Sequence, residues 1–563
     1  MIGHHGPARN DRFEGATTHM GTTPKATTQG WTYADVWEAV ADRFPDAAAL
    51  DGDGRITTWR DFDQRADGVA AALIDAGLGP QAKVAQLLFN SPEYLESLFA
   101  AFKAGLVPVN TNYRYTGDEL AYLWDNADVE AVVFHGDLAD RCDELRHRLD
   151  GIKVWLWVDA GTGPCPDWAV PYEDAADRRP GRTSAPWGRS GSDLYLLYTG
   201  GTTGHPKGVM WPQDTLFRML EELNNRTPDE TADAVAHAAA LTKPGPRVLP
   251  APPLMHGTAM WFAMPALSQG GCVVTLSDRN FDPARLLDTI VDEDVKGLCI
   301  VGDAFARPIA DALDAEPDRW DLAGLRVLFS SGVMFSAATK ARILAHATRC
   351  LLVDSLGSSE SGGLGRTLTS AEDEGTGATA AFRIGPTTRV VDDDGVDVEP
   401  GSGERGRIAV RGHIPIGYYG DPVKTAETFL TIDGVVHVVA GDWAEVDEDG
   451  TIRLLGRGSV CINTGGEKVY PEEVEEAIKA RPGVRDAVVV GVPNERFGEM
   501  VVAVVEPTPG AAVDADALTT DLRDHLAGYK VPRRIIVREV GRAPNGKADY
   551  RRLRDVAIES AAG

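Results

Sequence analysis

The sequence predicts an α/β protein with a large N-terminal domain of parallel sheets and a smaller α+β C-terminal domain. Two observations predict this fold class. Short apolar runs alternate with helical patterns from residue 31 to about residue 447, and the pattern changes near residue 460. A chain of 563 residues is also too long for one hydrophobic core, so two or more domains are expected.

The first elements follow helical and strand periods in turn. Residues 1–30 show no hydrophobic period and are predicted to form a flexible tail. "WTYADVWEAVADRF" has apolar residues at helical spacing, and "AKVAQLLF" is typical of a buried strand. "SPEYLESLFAAFKAG" predicts a helix with Ser91 as its N-cap and Pro92 in its first turn.

Further short apolar runs predict the remaining strands of the parallel sheets. Most are followed by a helical stretch, and ligands bind at the carboxyl ends of such strands. We therefore expect the site in the loops that follow them. The runs are "DVEAVVFHG", "DLYLLYTG", "CVVTLSD", "KGLCIVG", "LRVLFSSG" and "CLLVDSLG".

The last two regions differ from the first. From residue 383, short strands and tight turns rich in Gly, Asp and Val predict a small β-barrel. Its "GSGERG" fits GxGxxG but opens no helix, so it is interpreted as a β-turn. From about residue 460 a compact α+β pattern follows, the size of one small domain. The predicted domains are residues 31–457 and 458–563, with a hinge near residues 457–460.

Composition excludes several classes of function. The formal net charge of −28 opposes binding to nucleic acid and to anionic membranes, but a local cluster of donors can still hold an anionic substrate. None of the six cysteines lies in a CxxC pair, so neither a zinc site nor a disulfide framework is expected. This cysteine usage predicts a cytoplasmic location. The sequence shows no signal peptide. Its apolar runs are all much shorter than the roughly 20 residues that a membrane-spanning helix needs.

The loop "YTGGTTGHPKG", residues 198–208, follows a buried strand. Its glycines, threonine hydroxyls and backbone N–H groups suit a phosphate, and Lys207 adds positive charge. It is not a Walker A motif, because Gly208 stands where that motif needs Ser or Thr. The alternative is a surface turn, which seldom needs so many glycines and threonines behind a buried strand.

Five motifs in order resemble those of the adenylate-forming acyl-CoA synthetases, over nearly the whole chain after the tail. This family joins a carboxylic acid to coenzyme A through an acyl-adenylate. The motifs are "YTGGTTGHPKG", "LGSSE" at 356–360, "GDWAEVDEDGTIRLLGR" at 441–457, the segment from Gly466 to Glu475, and "RAPNGKADYR" with Lys547.

The resemblance implies ATP/AMP, Mg²⁺ and coenzyme A as cofactors, and a C-terminal domain that rotates between two half-reactions. It implies that Glu360 holds Mg²⁺, that Lys547 bridges carboxylate and α-phosphate, and that His256 in "PPLMHG" gates the acyl pocket. A solvated loop carboxylate, a surface lysine and a packed core histidine are the alternatives. The implied nucleotide and coenzyme contacts are Thr199, Gly200, Gly201, Thr202, Thr203, Gly204, Lys207, Gly332, Leu356, Gly357, Ser358, Ser359, Asp442, Arg457, Gly465 and Gly466.

Individual roles follow from the same resemblance. Asp442 would accept hydrogen bonds from the ribose hydroxyls, and Arg457 would reach the ribose or a phosphate, whereas a turn aspartate and a surface ion pair are the alternatives. Gly465 and Gly466 would leave room for the pantetheine arm. The helix "AMWFAMPAL" either lines the acyl tunnel or, more often for such a stripe, packs in the core.

The sequence departs from the family at three places. Leu356 stands where an aromatic residue commonly stacks on adenine, Val460 where the hinge usually has an aspartate, and "SSGVMF" where a "GAAPL"-like segment is usual. The thioester-forming step is therefore expected to be the more efficient. The motifs are similar to those of the actinobacterial branch of the family, which activates steroid and terpenoid acids.

The resemblance implies that the partner is a small carboxylic acid or its acyl-adenylate, and a homodimer stays open. Two rival functions also stay open: loading an acyl group onto a free-standing carrier protein, and non-catalytic binding on this fold.

Overall fold

The computed structural model describes residues 30–52, 54–199, 206–228, 233–332, 335–373, 381–457, 462–464, 467–494, 498–523, 525–526, 528–542 and 548–562. The expected tail therefore lies outside the described residues, apart from Gly30.

The first part of the chain alternates helices with strands. Helix α1 begins as the sequence predicts: the Thr32 side chain caps it by accepting a hydrogen bond from the Asp35 N–H, and Val36, Trp37 and Val40 are buried along one face. Ser91 is the N-cap of α3 as expected, but its side chain makes no capping hydrogen bond. The elements are α1 (Tyr33–Arg43), β1 (Ala48–Gly52), β2 (Arg55–Thr58), α2 (Trp59–Asp75), β3 (Lys83–Leu87), α3 (Pro92–Lys103), β4 (Val107–Asn110), α4 (Gly117–Asn126), β5 (Val129–His135), α5 (Ala139–Arg146), β6 (Val154–Val158), β7 (Val170–Pro171), α6 (Tyr172–Ala176), β8 (Leu194–Thr199) and β9 (Lys207–Pro212).

The second part repeats the alternation of helix and strand. A short 3₁₀ helix, Leu322–Gly324, precedes β13, as another, Gly136–Leu138, follows β5. The elements are α7 (Gln213–Leu223), α8 (Ala234–Ala240), β10 (Arg247–Pro250), α9 (Gly257–Ser268), β11 (Cys272–Val274), α10 (Pro283–Asp292), β12 (Gly297–Ile300), α11 (Gly302–Ala315), β13 (Val327–Ser331), α12 (Ala337–His346), β14 (Leu351–Ser358) and β15 (Gly362–Thr369).

The third part is mostly antiparallel strands. The "GSGERG" segment leads into β18, and Gly401 and Gly403 have φ of +77° and +74°, which suits the turn that the sequence predicts. The elements are β16 (Ala381–Ile384), β17 (Thr388–Val391), β18 (Arg405–Val410), α13 (Pro422–Thr428), β19 (Phe429–Ile432), β20 (Val435–Val438), β21 (Asp442–Val446) and β22 (Thr451–Arg457).

The last part is a separate small sheet covered by helices. Its elements are β23 (Ile462–Thr464), β24 (Glu467–Val469), α14 (Pro471–Lys479), β25 (Val484–Asn494), β26 (Gly498–Pro507), α15 (Ala515–Leu522), β27 (Arg534–Val537) and α16 (Tyr550–Ala562).

The strands form three sheets in the described parts of the chain. The largest has the order β19-β20-β18-β21-β22-β16-β15-β14-β13-β12-β10-β11-β1-β2, with β17 paired to β18. The second has the order β7-β6-β5-β3-β4-β8-β9, and the third β24-β23-β26-β25, with β27 paired to β26. The strands expected in a small β-barrel thus extend the antiparallel end of the largest sheet. The fold class, a large N-terminal sheet domain with a smaller C-terminal domain, is confirmed.

Both large sheets are parallel where they meet the site. Strands β3, β4, β5, β6 and β8 run parallel in one, and β10, β11, β12, β13 and β14 in the other. The carboxyl ends of β4, β8, β13 and β14 line one cleft, and open α/β sheets bind ligands at such ends.

Buried ion pairs and aromatic rings fix the helices around the first parallel sheet. The Lys103 ammonium group lies 2.7–2.9 Å from carboxylate oxygens of Glu38, Asp63 and Asp67, so that α1, α2 and α3 share one cation. Its side chain has no exposed surface, and a buried charge is tolerated only when it is paired in this way. No helix in the described ranges combines the length and hydropathy needed to cross a membrane.

Candidate active site

A hairpin presents the base of the glycine-rich loop. Strands β8 and β9 pair antiparallel, and Thr199 stands opposite Lys207 at their open end. The Lys207 ammonium lies 3.5 Å from Asp421 Oδ2 and 5.8 Å from the centre of the Tyr418 ring. These contacts orient a half-buried cation at the point where the loop ends and β9 begins. The loop residues Gly200, Gly201, Thr202, Thr203 and Gly204 lie outside the described residues.

A second hairpin carries the "LGSSE" motif into the cleft. Strands β14 and β15 are antiparallel, and Leu356, Gly357, Ser358, Ser359 and Glu360 all line the cleft. The indole N–H of Trp211 donates to the Ser359 carbonyl at 2.9 Å, which ties β9 to this turn.

Glu360 is held from one side. The Tyr418 hydroxyl donates to its Oε1 at 2.9 Å, whereas Oε2 makes no hydrogen bond to any described residue. A fixed carboxylate with one oxygen directed to a cleft suits a hard cation such as Mg²⁺, which takes oxygen ligands and keeps several waters. The residue therefore fits the metal role expected from the sequence. No group of three or more metal-binding side chains occurs among the described residues.

Burial and an ion pair hold β14 below the motif. Asp354 lines the cleft, is only 6 % exposed, and accepts a hydrogen bond from the Lys340 ammonium at 2.9 Å. Burial raises the pKa of Asp354 above its usual value, and the attraction to Lys340 opposes that rise.

His256 is the N-cap residue of α9 and lines the cleft, half-buried, beside Met255. Met260 and Met264 are fully buried, so the core interpretation holds for the methionines. The other face of α9 borders the cleft, so that one helix serves both the core and the site. The cleft-lining residues of that face are Thr258, Trp261, Phe262, Pro265, Ala266 and Gln269.

A buried asparagine that the sequence did not single out joins the two halves of the site. Asn110, 5 % exposed at the end of β4, donates to the carbonyls of Tyr198 and Met255 at 2.9 and 2.6 Å. Its Oδ1 accepts from the Tyr198 N–H at 2.6 Å. Asn110 thereby fixes the strand before the phosphate loop against the segment that presents His256.

Asn90 holds the same segment from its other side. Its amide donates to the carbonyls of Pro250 and Pro252 at 3.3 and 3.0 Å, and it accepts from the Leu254 N–H at 2.7 Å. Asn110 ends a buried strand and Asn90 lies three residues after one, and this position is the only signal in the sequence that could have found them.

Asp442 begins β21 and is 8 % exposed, with Arg457 of β22 as its neighbour in register. It lines the cleft. Lys547, Gly465 and Gly466 lie outside the described residues, although Tyr550 and Ala548, which follow Lys547 in the chain, line the cleft. The hinge residues 458–460 are likewise outside them.

Gly332 directly follows β13 and lines the cleft. Its φ of +90° is a conformation that residues with a side chain rarely adopt, so its backbone geometry alone accounts for glycine. Val333 and Met334 of the same segment lie outside the described residues.

Close packing sets the width of the cleft. A Cβ atom on Gly362 would lie 2.7 Å from Met219 Sδ, and one on Gly363 would lie 2.4 Å from Leu223 Cδ2. Helix α7 therefore packs directly on the backbone of β15.

The cleft has two ends of different chemistry and a volume of 1680 Å³. Its polar end contains Thr199, Glu360 and Asp442. Its apolar arm, which we define as the space between α9, α7 and the face of the largest sheet, contains stacked rings of Phe262 and Phe329 with centres 5.8 Å apart. The sheet face of the apolar arm is lined by Val248, Gly297, Val327, Phe329, Leu351 and Val353.

Comparisons with known proteins agree with this geometry. The AMP-binding enzyme model matches residues 37–419, and the AMP-binding enzyme C-terminal domain model matches residues 473–547. A solved structure, ATP-bound MatB from Rhodopseudomonas palustris, is 26 % identical with a TM-score of 0.77, over 93 % of this chain and 99 % of that one.

Two curated relatives are closer in sequence. A medium/long-chain fatty acid-CoA/3-oxocholest-4-en-26-oate-CoA ligase of Mycolicibacterium smegmatis is 41 % identical over 93 % of this chain and 96 % of its own length. A 3-oxocholest-4-en-26-oate-CoA ligase of Rhodococcus rhodochrous is 40 % identical over 93 % of this chain and 95 % of its own length. The resemblance found in the five motifs is thus confirmed, and the chain belongs to the AMP-binding enzyme family.

Proposed function

We propose that this protein is an acid–thiol ligase that joins a bulky, polycyclic carboxylic acid to coenzyme A through an acyl-adenylate. The observation that carries the proposal is one cleft with a polar end at Glu360 and Asp442 and an apolar arm along α9. The two ligases that are 40 and 41 % identical to this chain support it, because both names specify a steroid acid, one of them together with medium- and long-chain fatty acids.

In the first step a carboxylate oxygen of the acid attacks the α-phosphorus of ATP. The new oxygen–phosphorus bond replaces the bond to pyrophosphate, which leaves. Negative charge gathers on the phosphate oxygens, so positioned donors are the main source of rate. We assign binding of the phosphates to Thr199 and Lys207, which face each other at the base of the loop, and to Lys547 the bridge between the carboxylate and the α-phosphate.

Glu360 would hold Mg²⁺, which when bound neutralises part of the phosphate charge. Its fixed Oε1 leaves Oε2 as the ligand atom. Asp442, nearly buried, would accept hydrogen bonds from the ribose hydroxyls, since a carboxylate offers two acceptor oxygens.

In the second step the coenzyme A thiol loses its proton and its sulfur attacks the acyl carbon. The carbon–oxygen bond to AMP breaks, and AMP leaves with that oxygen. We propose that residues 458–563 rotate about residues 457–460 to bring Gly465 and Gly466 to the site. The change of sheet between β22 and β23 supports a boundary at that point.

The apolar arm supports a large acid. Each additional 100 Å² of apolar ligand surface buried there contributes about 2.5 kcal/mol, or roughly sixty-fold in affinity. A short acid leaves most of that surface in contact with water and competes poorly.

The experiment supplies ATP, Mg²⁺ and coenzyme A to the full chain with a panel of acids, and measures release of AMP and of thioester. The panel contains acetate, a medium-chain fatty acid, a long-chain fatty acid and 3-oxocholest-4-en-26-oic acid. The steroid acid should have the highest kcat/KM and acetate the lowest. Acetate as the best substrate would overturn the proposal.

The rival functions give different results in the same assay. A carrier-loading enzyme would form AMP but transfer the acyl group only to a phosphopantetheinyl carrier protein. A non-catalytic binding protein would release no AMP with any acid. The Asp442→Asn variant is the matched control, because it should bind the acid but form adenylate poorly.

A further inference from the structure

The apolar arm has a second end, far from the site of adenylation. Helix α9 borders its whole length, with the N-cap His256 at one end and the C-cap Gln269 at the other. The two residues are thirteen residue steps apart, which at 1.5 Å per step is about 20 Å. A long acid whose carboxylate reaches the polar end therefore places its far end near Gln269.

This far end is polar, whereas the wall between is apolar. We define the distal end as the four donor-bearing residues that line the cleft there, Arg226, Gln269, Lys296 and Arg326. Its position follows from the strands: Lys296 and Arg326 immediately precede β12 and β13, so they lie at the strand ends opposite the adenylation site.

A buried carboxylate organises two of these donors. Glu221 is 3 % exposed, and its oxygens accept from Arg226 Nε at 2.7 Å and from Gln269 Nε2 at 3.3 Å. A buried carboxylate without such partners would be costly, so it fixes both side chains in place. Remaining N–H groups of Arg226 and Gln269 are then held in a set orientation at the end of the cleft.

The two cations at the strand ends differ in their pairing. The Lys296 ammonium pairs with Asp294. Arg326 is exposed and lines the cleft, and it forms no ion pair with a carboxylate of another described residue. Arg326 thus brings positive charge to the distal end without a built-in partner in the described part of the chain.

A purely hydrocarbon tail fits this end poorly. It would displace water from Arg226 and Arg326 and offer no acceptor in return, which costs free energy. An oxygen acceptor at the far end of the ligand would replace the lost water. Sites built from donors discriminate in this direction, because the analogue without the oxygen leaves them unpaired.

We propose that the distal end binds a hydrogen-bond-accepting oxygen, a ketone or a carboxylate, carried by the substrate about 20 Å from its reacting carboxylate. Arg226, Gln269 and Arg326 are then specificity-determining residues. The inference rests on the proposed ligase function and deepens it: the preferred acids are long and carry a polar group at both ends.

The test compares two acids with one skeleton, 3-oxocholest-4-en-26-oic acid and cholest-4-en-26-oic acid, which lacks the ketone. The wild-type protein should prefer the oxo acid by about tenfold in kcat/KM, mainly through KM. Arg326→Met should reduce that preference to about threefold. A saturated dicarboxylic acid of similar length, compared with its monocarboxylic analogue, distinguishes a carboxylate from a ketone as the preferred group.

Two further variants separate specificity from folding. Arg226→Lys keeps a cation beside Glu221 but loses the planar donor fork, and it should reduce the oxo preference. Arg349→Met removes an exposed arginine outside the cleft and should leave the preference at the wild-type value.

The outcomes are distinct. Equal kcat/KM for the oxo and deoxy acids in the wild type would overturn this inference and leave the ligase function standing. An oxo preference that survives both Arg326→Met and Arg226→Lys unchanged would also overturn it. Formation of no thioester from either acid would refute the ligase function, and this inference with it.

Discussion

Replacing Asn110 by leucine tests whether one buried amide aligns the two halves of the site. Leucine has nearly the same volume but removes all three hydrogen bonds, two to the carbonyls of Tyr198 and Met255 and one from the Tyr198 N–H. At about 1 kcal/mol each, their loss lowers the free energy of unfolding by roughly 3 kcal/mol. The Tyr198 N–H, left buried without an acceptor, adds to that loss.

The functional effect should exceed the effect on stability. Tyr198 precedes Thr199 and the phosphate loop, and Met255 precedes His256, so their shift misplaces both the phosphates and the acid. Displacements of about 1 Å can cost a hundredfold in rate. We expect acid-dependent pyrophosphate exchange to fall between tenfold and a hundredfold under conditions where the variant is still folded.

The assay pairs urea unfolding with pyrophosphate exchange. Asn112→Leu is the control for stability alone, because Asn112 also lines the cleft: the same substitution there removes the hydrogen bond from the Arg114 N–H at 3.0 Å and should change stability by less than about 1 kcal/mol. The reasoning is refuted if Asn110→Leu unfolds at the wild-type urea concentration, or if it exchanges pyrophosphate at the wild-type rate.

Three further predictions concern the roles assigned by resemblance. Lys547→Ala should lose adenylation but keep much of the thioester step when acyl-adenylate is supplied, and equal loss in both steps would disprove its role. Glu360→Gln should raise the Mg²⁺ concentration needed for half-maximal adenylation. Its stability should change by less than about 1 kcal/mol, because Gln still accepts a hydrogen bond from the Tyr418 hydroxyl. An unchanged Mg²⁺ requirement would exclude Glu360 as the metal ligand. Leu356→Tyr should improve adenylation relative to thioester formation, because the new ring can stack on adenine and contributes about 0.5–1.5 kcal/mol. If the two steps are equally efficient in the wild-type protein, the expected weakness in adenylation does not exist and this prediction fails.

Local pattern predicted most of the fold because the parallel strands are continuous apolar runs. Strand β5 and helix α3 are visible in a short window of sequence, including the N-cap Ser91. The sequence could not predict that strands β16 through β22 continue the largest sheet. That arrangement depends on pairing between residues far apart in the chain. A turn-rich segment has the same local pattern in a barrel and at the end of a sheet.

The motifs predicted residues that line the cleft, but not the residues that hold those segments in position. Glu360, Asp442 and His256 occur in recognisable stretches and line the cleft. Asn90 and Asn110 are single polar residues near strand ends, and nothing in the sequence separates a buried amide that bonds two carbonyls from a solvated one.

Helix α9 shows why periodicity alone was insufficient. It is apolar on nearly every side, so its spacing does not reveal which residues face the cleft and which face the core. Only the position of the sheet separates Trp261 and Phe262 from Met260 and Met264.

The direct contact between α7 and the backbone of β15 has an evolutionary consequence. Gly362 has a φ of +68°, where a side chain is strained, and a Cβ atom there would lie 2.7 Å from Met219 Sδ, so we expect selection to keep glycine at this position. Descendants of this enzyme that acquire new substrates are then expected to vary at Trp261, Phe262 and Ala266, where a side chain can grow or shrink without moving the backbone. A library that randomises only those α9 positions should yield altered acid preferences far more often than one directed at the β15 glycines.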